Sequence, residues 1–131
     1  MRIDSHVHVF TDGSSPFTHN DGMTTGRPEY SVLADDLIAF MDLEGIARTV
    51  LIQCMYHGYD NSYMCHCRDR FPDRLHAVAL IDPLKPGAPE KLERLHEEHG
   101  VQGMRLYPIK DQDASWQSSD EQNALWETAR R

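Results

Sequence analysis

The chain has 131 residues, 40% hydrophobic and 26% charged, enough for one domain with a real core. Its formal net charge of −8 argues against nucleic acid and anionic membrane surfaces as partners, and no apolar run reaches the length of a bilayer span. Cys54, Cys65 and Cys67 lack a disulfide-framework spacing and Arg2-Ile3-Asp4 shows no signal peptide, so a reducing, cytoplasmic setting is expected.

The first predicted element is a strand from Ile3 to Phe10. His6 and His8 stand at i and i+2 on it, so both imidazoles project from one face, about 6.6 Å apart along the strand. Two neutral imidazoles so placed can bind one divalent metal, or bind and polarise one substrate. Asp4 falls on the same face by simple alternation and is placed to orient one of them. A lone His-x-His triplet is a weak signal, since solvated and core histidines produce it too. Residues 11–30 are rich in Gly, Ser, Thr, Asn, Asp and Pro and read as a long functional or mobile loop, in which His19 alone has no assignment.

Ser31 is predicted to cap a helix with the apolar stripe Leu33, Leu37, Phe40 and Met41, ended by Gly45. Thr49 to Cys54 is a continuous apolar run, typical of a parallel strand buried on both faces. Gln53 closes it on the face opposite Val50, Ile52 and Cys54. Tyr56, His57, Asn61 and Tyr63 follow in or just after the next loop, where polar contacts to a ligand and plain surface roles are both open. A short helix from about Asn61 carries Met64, Cys67 and Phe71 on one side. Cys65-His66-Cys67 invites a metal reading, but i and i+2 diverge on a helix, so Cys67 goes to the core and Cys65 and His66 to the surface. His76 to Ile81 is the third strand, and Asp82-Pro83 closes it with Asp82 as a turn cap. Pro89 suits the first turn of a helix that buries Leu92 and Leu95 and ends at Gly100. His96 and His99 sit near its C-terminus, where a cation is favourable. Val101 to Tyr107 is the fourth strand, and Ser119-x-x-Gln122 is a capping box for a last helix with Leu125, Trp126 and Ala129.

The order is β-α-β-α-β-α-β-α, with strands two to four starting at intervals of about 25 to 27 residues, near the size of a βα unit. It implies an α/β fold with a parallel sheet under helices. Two architectures fit: a small open doubly wound sheet, or four βα units forming the N-terminal half of a (β/α)8 TIM barrel. The barrel is favoured, because His6 and His8 stand near a strand's C-terminal end with a long loop following, which is where barrels keep functional groups. The fourth strand adds a face pattern. Met104 and Leu106 suit the helix side, whereas Gly103, Arg105 and Tyr107 suit the barrel interior. An interior arginine needs an anion, either a substrate carboxylate or phosphate or an internal Asp or Glu. Gln53, Tyr56 and Tyr107 are candidate neighbours of Arg105 around that substrate.

Ile3-Asp4-Ser5-His6-Val7-His8-Val9-Phe10 resembles the first-strand signature of the amidohydrolase superfamily. The downstream segments are most similar to its amidohydrolase-related branch ("amidohydrolase 2"): Met41 to Gln53, Arg70 to Arg74, Val78 to Pro83 and Gly100 to Leu106. Each is weak alone; their order and spacing are specific and cover nearly the whole chain. Two other barrels with an early His-x-His fit less well. Histidinol-phosphatase-like phosphoesterases would carry Thr-Asp-His where Gln53-Cys54-Met55 stands, and TatD-like nucleases a Gly-x-His-Pro-His element near Ile81-Asp82-Pro83.

The resemblance implies lactone, amide or ester hydrolysis or non-oxidative decarboxylation, with lactone hydrolysis of a small carboxylate-bearing molecule preferred. It implies His6 and His8 as catalytic groups and ligands of a divalent metal, zinc in the first instance. Family members complete that set with histidines from strands five and six and an aspartate base from strand eight. Metal-free lactonases that use the histidines directly, and arginines for substrate carboxylates, are the alternative, and Arg105 suits them. Residues 1–131 then form one partial domain of a longer hydrolase and are expected to be inactive alone. The competing expectation is a non-catalytic half barrel that oligomerises through the exposed edges of its first and fourth strands.

Overall fold

The computed structural model describes residues 1–13, 16, 17, 19, 27–107 and 119–131. The elements are β1 (Arg2–Val7), α1 (Ala34–Glu44), β2 (Ile46–Ile52), α2 (Ser62–Arg70), β3 (Leu75–Leu80), α3 (Ala88–His99), β4 (Gly103–Arg105) and α4 (Asp120–Ala129). The strands form one sheet in the order β1-β2-β3-β4, every pair parallel. A doubly wound sheet reverses its strand order at a switch point, and this one does not. Sequential parallel strands joined by helices are half of a (β/α)8 barrel.

Register separates the two faces. Thr49 pairs with Leu75 and Leu51 with Ala77, all four fully buried among the core residues under the helices. The opposite face carries Val50 beside His76, Ile52 beside Val78, Val78 beside Gly103, and Leu80 beside Arg105. Met104 and Leu106 pack against the helix-side core, so β4 presents Arg105 to the interior side.

Gly45 ends α1 at φ 65°, donating its N–H to the carbonyls of Met41 and Asp42, and Gly100 ends α3 at φ 59°. Left-handed backbone of this kind costs glycine nothing and other residues a Cβ clash. Pro89 stands in the first turn of α3. At α4, Ser119 Oγ accepts from Gln122 N–H at 3.2 Å, so half of the expected box forms. The other half does not: the Gln122 side chain is buried and both its polar atoms lack a partner.

Three sequence expectations are corrected. Leu33, not Ser31, occupies the N-cap of α1, and Ser31 Oγ instead accepts from Asp12 N–H at 2.9 Å. Leu33 and Phe40 are exposed, while Ala34, Leu37 and Met41 form the buried stripe. The reason is that α1 ends the helix row: its inner flank meets Arg70 through Asp35 and Arg74 through Asp42, and the flank with Leu33, Phe40 and Leu43 is exposed. Cys65, expected at the surface, is buried with Tyr63, Met64 and Cys67, because α2 lies in mid-row and packs against β3 and α3 as well as α1.

Candidate active site

Past their last ladder pairs, β1, β2 and β3 are held together by side chains, and the candidate site is built there. Between Asp4 and Val7, β1 sets two residues, Ser5 and His6, against one of β2, Val50, from Asp4 beside Thr49 to Val7 beside Leu51. Such a bulge re-aims the residues that follow. Asp4 Oδ1 accepts the His6 main-chain N–H at 3.1 Å, an Asx turn that fits the extra residue. The carboxylate predicted to steer an imidazole therefore shapes the backbone, and its register puts it beside Thr49 rather than on the histidine face.

The bulge brings His6 and His8 together. Their rings stand edge to face with centroids 4.9 Å apart, His6 exposed and His8 half-buried. His8 Nδ1 lies 2.7 Å from the Ile52 carbonyl oxygen. A carbonyl only accepts, so the proton is on Nδ1, and the neutral ring keeps its lone pair on Nε2. Metal-binding histidines are commonly fixed in this way. The pair fits part of a divalent-metal site: two adjacent nitrogen donors, one with its tautomer set. No third His, Cys, Asp or Glu joins them in a ligand group among the described residues.

Arg105 approaches from the other side of β2. Its Nη1 donates to the Gln53 carbonyl at 3.0 Å, its Nη2 donates to Tyr107 Oη at 2.8 Å, and the guanidinium lies 4.5 Å from the Tyr107 ring centroid. Every one of these partners is neutral, and no carboxylate of the described residues pairs with this half-buried cation. The internal ion pair considered from sequence is absent among those residues. His8 and Arg105 thus anchor on consecutive carbonyls of one strand end, those of Ile52 and Gln53.

The β2–α2 loop is fixed from within. Gln53 is buried, and its Nε2 donates to the carbonyls of Gly58 at 3.0 Å and Asp60 at 2.7 Å. The structure therefore directs the Gln53 side chain into the loop, and its main-chain carbonyl is what meets Arg105. Asn61 is also buried: Nδ2 donates to Leu80 O at 3.1 Å, and Oδ1 accepts from Leu80 N–H at 2.9 Å. In a parallel ladder the Leu80 N–H would go to Gln53 O; Asn61 takes it, which leaves that carbonyl for Arg105. Tyr56 stacks against Phe10 at 5.1 Å, and buried His57 accepts the Thr11 N–H on Nε2 at 3.3 Å. Sequence reasoning marked Asn61 and His57 only as loop polar residues. Their packing roles depend on Leu80 and Thr11, which are distant in sequence.

The cysteines offer no nucleophile. Burial raises the Cys54 thiol above its usual range, and it donates to the Val9 carbonyl with Sγ at 3.6 Å. Burial pushes Cys65 up to about 12 and Cys67 up to about 11, far from the thiolate that nucleophilic chemistry needs. Asp82 accepts from Leu84 N–H at 3.1 Å as a turn cap, and His96 donates from Nδ1 to the Val101 carbonyl at 2.8 Å, both structural roles.

This parallel half barrel, with its candidate functional side chains at strand C-terminal ends, has the architecture of the amidohydrolase class. The family model described as Amidohydrolase matches residues 3–131, and the chain belongs to that family. It is 30% identical over 109 residues to a 2-pyrone-4,6-dicarboxylate hydrolase from Comamonas testosteroni, covering 82% of this chain and 33% of the relative. In fold it is similar to a probable 2-pyrone-4,6-dicarboxylic acid hydrolase from Acinetobacter baumannii solved with citric acid bound. There the TM-score is 0.76 at 21% identity, over 98% of this chain and 45% of the other. A 5-carboxyvanillate decarboxylase from Novosphingobium aromaticivorans, solved with bound manganese, aligns at TM-score 0.68 and 15% identity over 98% of this chain and 47% of the other. The chain thus spans about a third of the curated relative and under half of these two solved chains. Among the described residues, no helix is long and apolar enough to cross a membrane.

Proposed function

We propose that the full-length protein is a hydrolase of the lactonase type acting on a small dicarboxylate, with 2-pyrone-4,6-dicarboxylate the first substrate to test. The observation that carries this reading is Arg105: a half-buried guanidinium at the C-terminal end of β4, bonded among the described residues only to neutral groups and anchored beside the carbonyl that holds His8. A guanidinium in that state attracts a substrate carboxylate with planar, bidentate geometry.

This chain's part is to bind, orient and polarise. Arg105 holds a carboxylate, and Tyr107 braces the guanidinium from one face. His8 presents a lone pair on Nε2, and His6 stands beside it for a proton or a ligand. The two imidazoles would hold a divalent metal, zinc by donor type, and when bound it would supply a lowered water pKa and a polarised carbonyl. Gln53 contributes through its main-chain carbonyl, and Tyr56 borders the mouth beside Phe10. Residues 1–131 alone are proposed to turn over no substrate, because among the described residues no third ligand and no carboxylate base join the two histidines.

The test is purified full-length protein with 2-pyrone-4,6-dicarboxylate, followed by loss of the pyrone chromophore, alongside His6→Ala. Ring opening that His6→Ala abolishes supports the reading. Activity retained in His6→Ala would overturn it, and release of carbon dioxide without ring opening would move the protein to the decarboxylases.

A further inference from the structure

We infer that His57 is a positioning residue for the histidine pair, latching the exit of β1 to the β2–α2 loop through one main-chain hydrogen bond. The inference rests on the proposal that His6 and His8 carry the chemistry.

The β1 ladder ends at Val7 beside Leu51, so His8 stands one residue beyond the last rung. What fixes residues 8–11 is a short series of contacts. His8 bonds the Ile52 carbonyl, Cys54 Sγ reaches the Val9 carbonyl, and Phe10 and Val32 exchange main-chain bonds at 3.3 and 2.8 Å. The last contact is the deepest: Thr11 N–H donates to His57 Nε2 at 3.3 Å, with both residues 1% exposed. An N–H donor requires a lone pair on Nε2, so His57 is neutral in this arrangement. His19 lies edge-on to His57 at 4.9 Å, and its Nε2 is 3.2 Å from Thr11 Oγ1, so Thr11 is gripped at two points.

The latch transmits position because its base is rigid. His57 O accepts from Asp60 N–H at 3.0 Å, Gly58 N–H donates to Met55 O at 3.1 Å, and the amide of Gln53 pins Gly58 and Asp60. Freed of this bond, the Thr11 N–H has no acceptor in a buried site, and residues 8–11 must shift to find one. Displacement of a reacting group by about 1 Å costs on the order of a hundredfold in rate.

The experiment compares His57→Leu and His57→Gln in the full-length protein with 2-pyrone-4,6-dicarboxylate, with His6→Ala in parallel. Leucine fills the space without an acceptor, and glutamine places an amide oxygen near the position of Nε2. His57→Leu is expected to lower kcat by about a hundredfold with KM within about threefold, since Arg105 is held by Gln53 and Tyr107 and bonds neither Thr11 nor His57. His57→Gln is expected to recover most of that loss. If His57→Leu does not fold, His57→Met against His57→Gln makes the same comparison at matched length. A Leu or Met variant with wild-type kcat, a Gln variant as impaired as Leu, or equal damage to kcat and KM would overturn the latch. An active His6→Ala would instead overturn the functional reading on which it rests.

Discussion

Removing the Arg105 guanidinium gives the most direct reading of what this mouth binds. Of its five N–H donors, one is committed to Gln53 O and one to Tyr107 Oη among the described residues, and the other three are proposed to meet an anion. A hydrogen bond to a charged group contributes about 1.5–3 kcal/mol, and a bidentate pair on a half-desolvated carboxylate falls at the upper end. A loss of about 3 kcal/mol is on the order of a hundredfold in kcat/KM for Arg105→Met. On the proposed reading Arg105 meets a carboxylate remote from the bond being broken, so the loss is expected in KM, with kcat changed only a few-fold. Arg105→Lys keeps the charge without the fork and is expected to recover about tenfold. Steady-state ring opening by the full-length enzyme measures both constants. An Arg105→Met enzyme with kcat/KM within about twofold of wild type would refute the anchor and, with it, the observation that carries the proposed function.

Other expectations follow from the same geometry. Asn61→Ala removes the side chain that satisfies the buried Leu80 carbonyl and leaves the Leu80 N–H only the Gln53 carbonyl that Arg105 occupies, so it should cost about 1–3 kcal/mol in denaturant unfolding; a loss below about 0.5 would refute the buried role of Asn61. Cys65 and Cys67 have pKa values raised by burial to about 12 and about 11, against 9.0 when unfolded. Ionisation then favours the unfolded chain, so their contribution is complete below pH 9.0 and lost as pH rises toward about 12. An urea midpoint unchanged across that range, or fast thiol labelling of the native protein near neutral pH, would contradict this. Residues 1–131 expressed alone should self-associate, because β1 and β4 are the sheet edges among the described residues and Leu33, Phe40 and Leu43 leave an apolar flank on α1. A concentration-independent monomer by sedimentation would count against that.

The element order was legible because period and punctuation agree along the chain: apolar runs at β2 and β3, glycine stops at Gly45 and Gly100, and Pro89 opening α3. The alternation that gave Arg105 to the interior and Met104 to the helix side is local, so it too was readable. Asp4 was misplaced because a bulge breaks alternation; an Asp two residues before the histidine, a common Asx-turn pattern, was the only hint. Cys65 was misassigned because its burial depends on neighbours on both flanks of α2, which helical periodicity does not encode. Gln53 shows the same limit. Strand alternation set its side chain opposite Val50 and Ile52, but did not show that those two take the interior face, nor that the Gly58 and Asp60 carbonyls take up its amide.

Those long-range contacts share one physical cause. Where parallel strands stop pairing, each leaves main-chain groups that must be satisfied or stay wet. At the exit of β2 the Ile52 carbonyl points to β1 and the Gln53 carbonyl to the far side, and each is met by the side chain of a candidate functional residue, His8 on one and Arg105 on the other. Asn61 makes this possible by taking the Leu80 N–H that would have bonded Gln53. The arrangement gives His8 and Arg105 a fixed orientation before any ligand arrives, so little rotamer entropy is left to lose on binding. It also ties stability to the site: truncating either side chain strands a carbonyl at the strand end as well as removing a ligand contact. Asn61→Ala should therefore impair kcat/KM beyond its cost in stability, because with Leu80 N–H free to compete for Gln53 O, Arg105 loses its anchor without being touched.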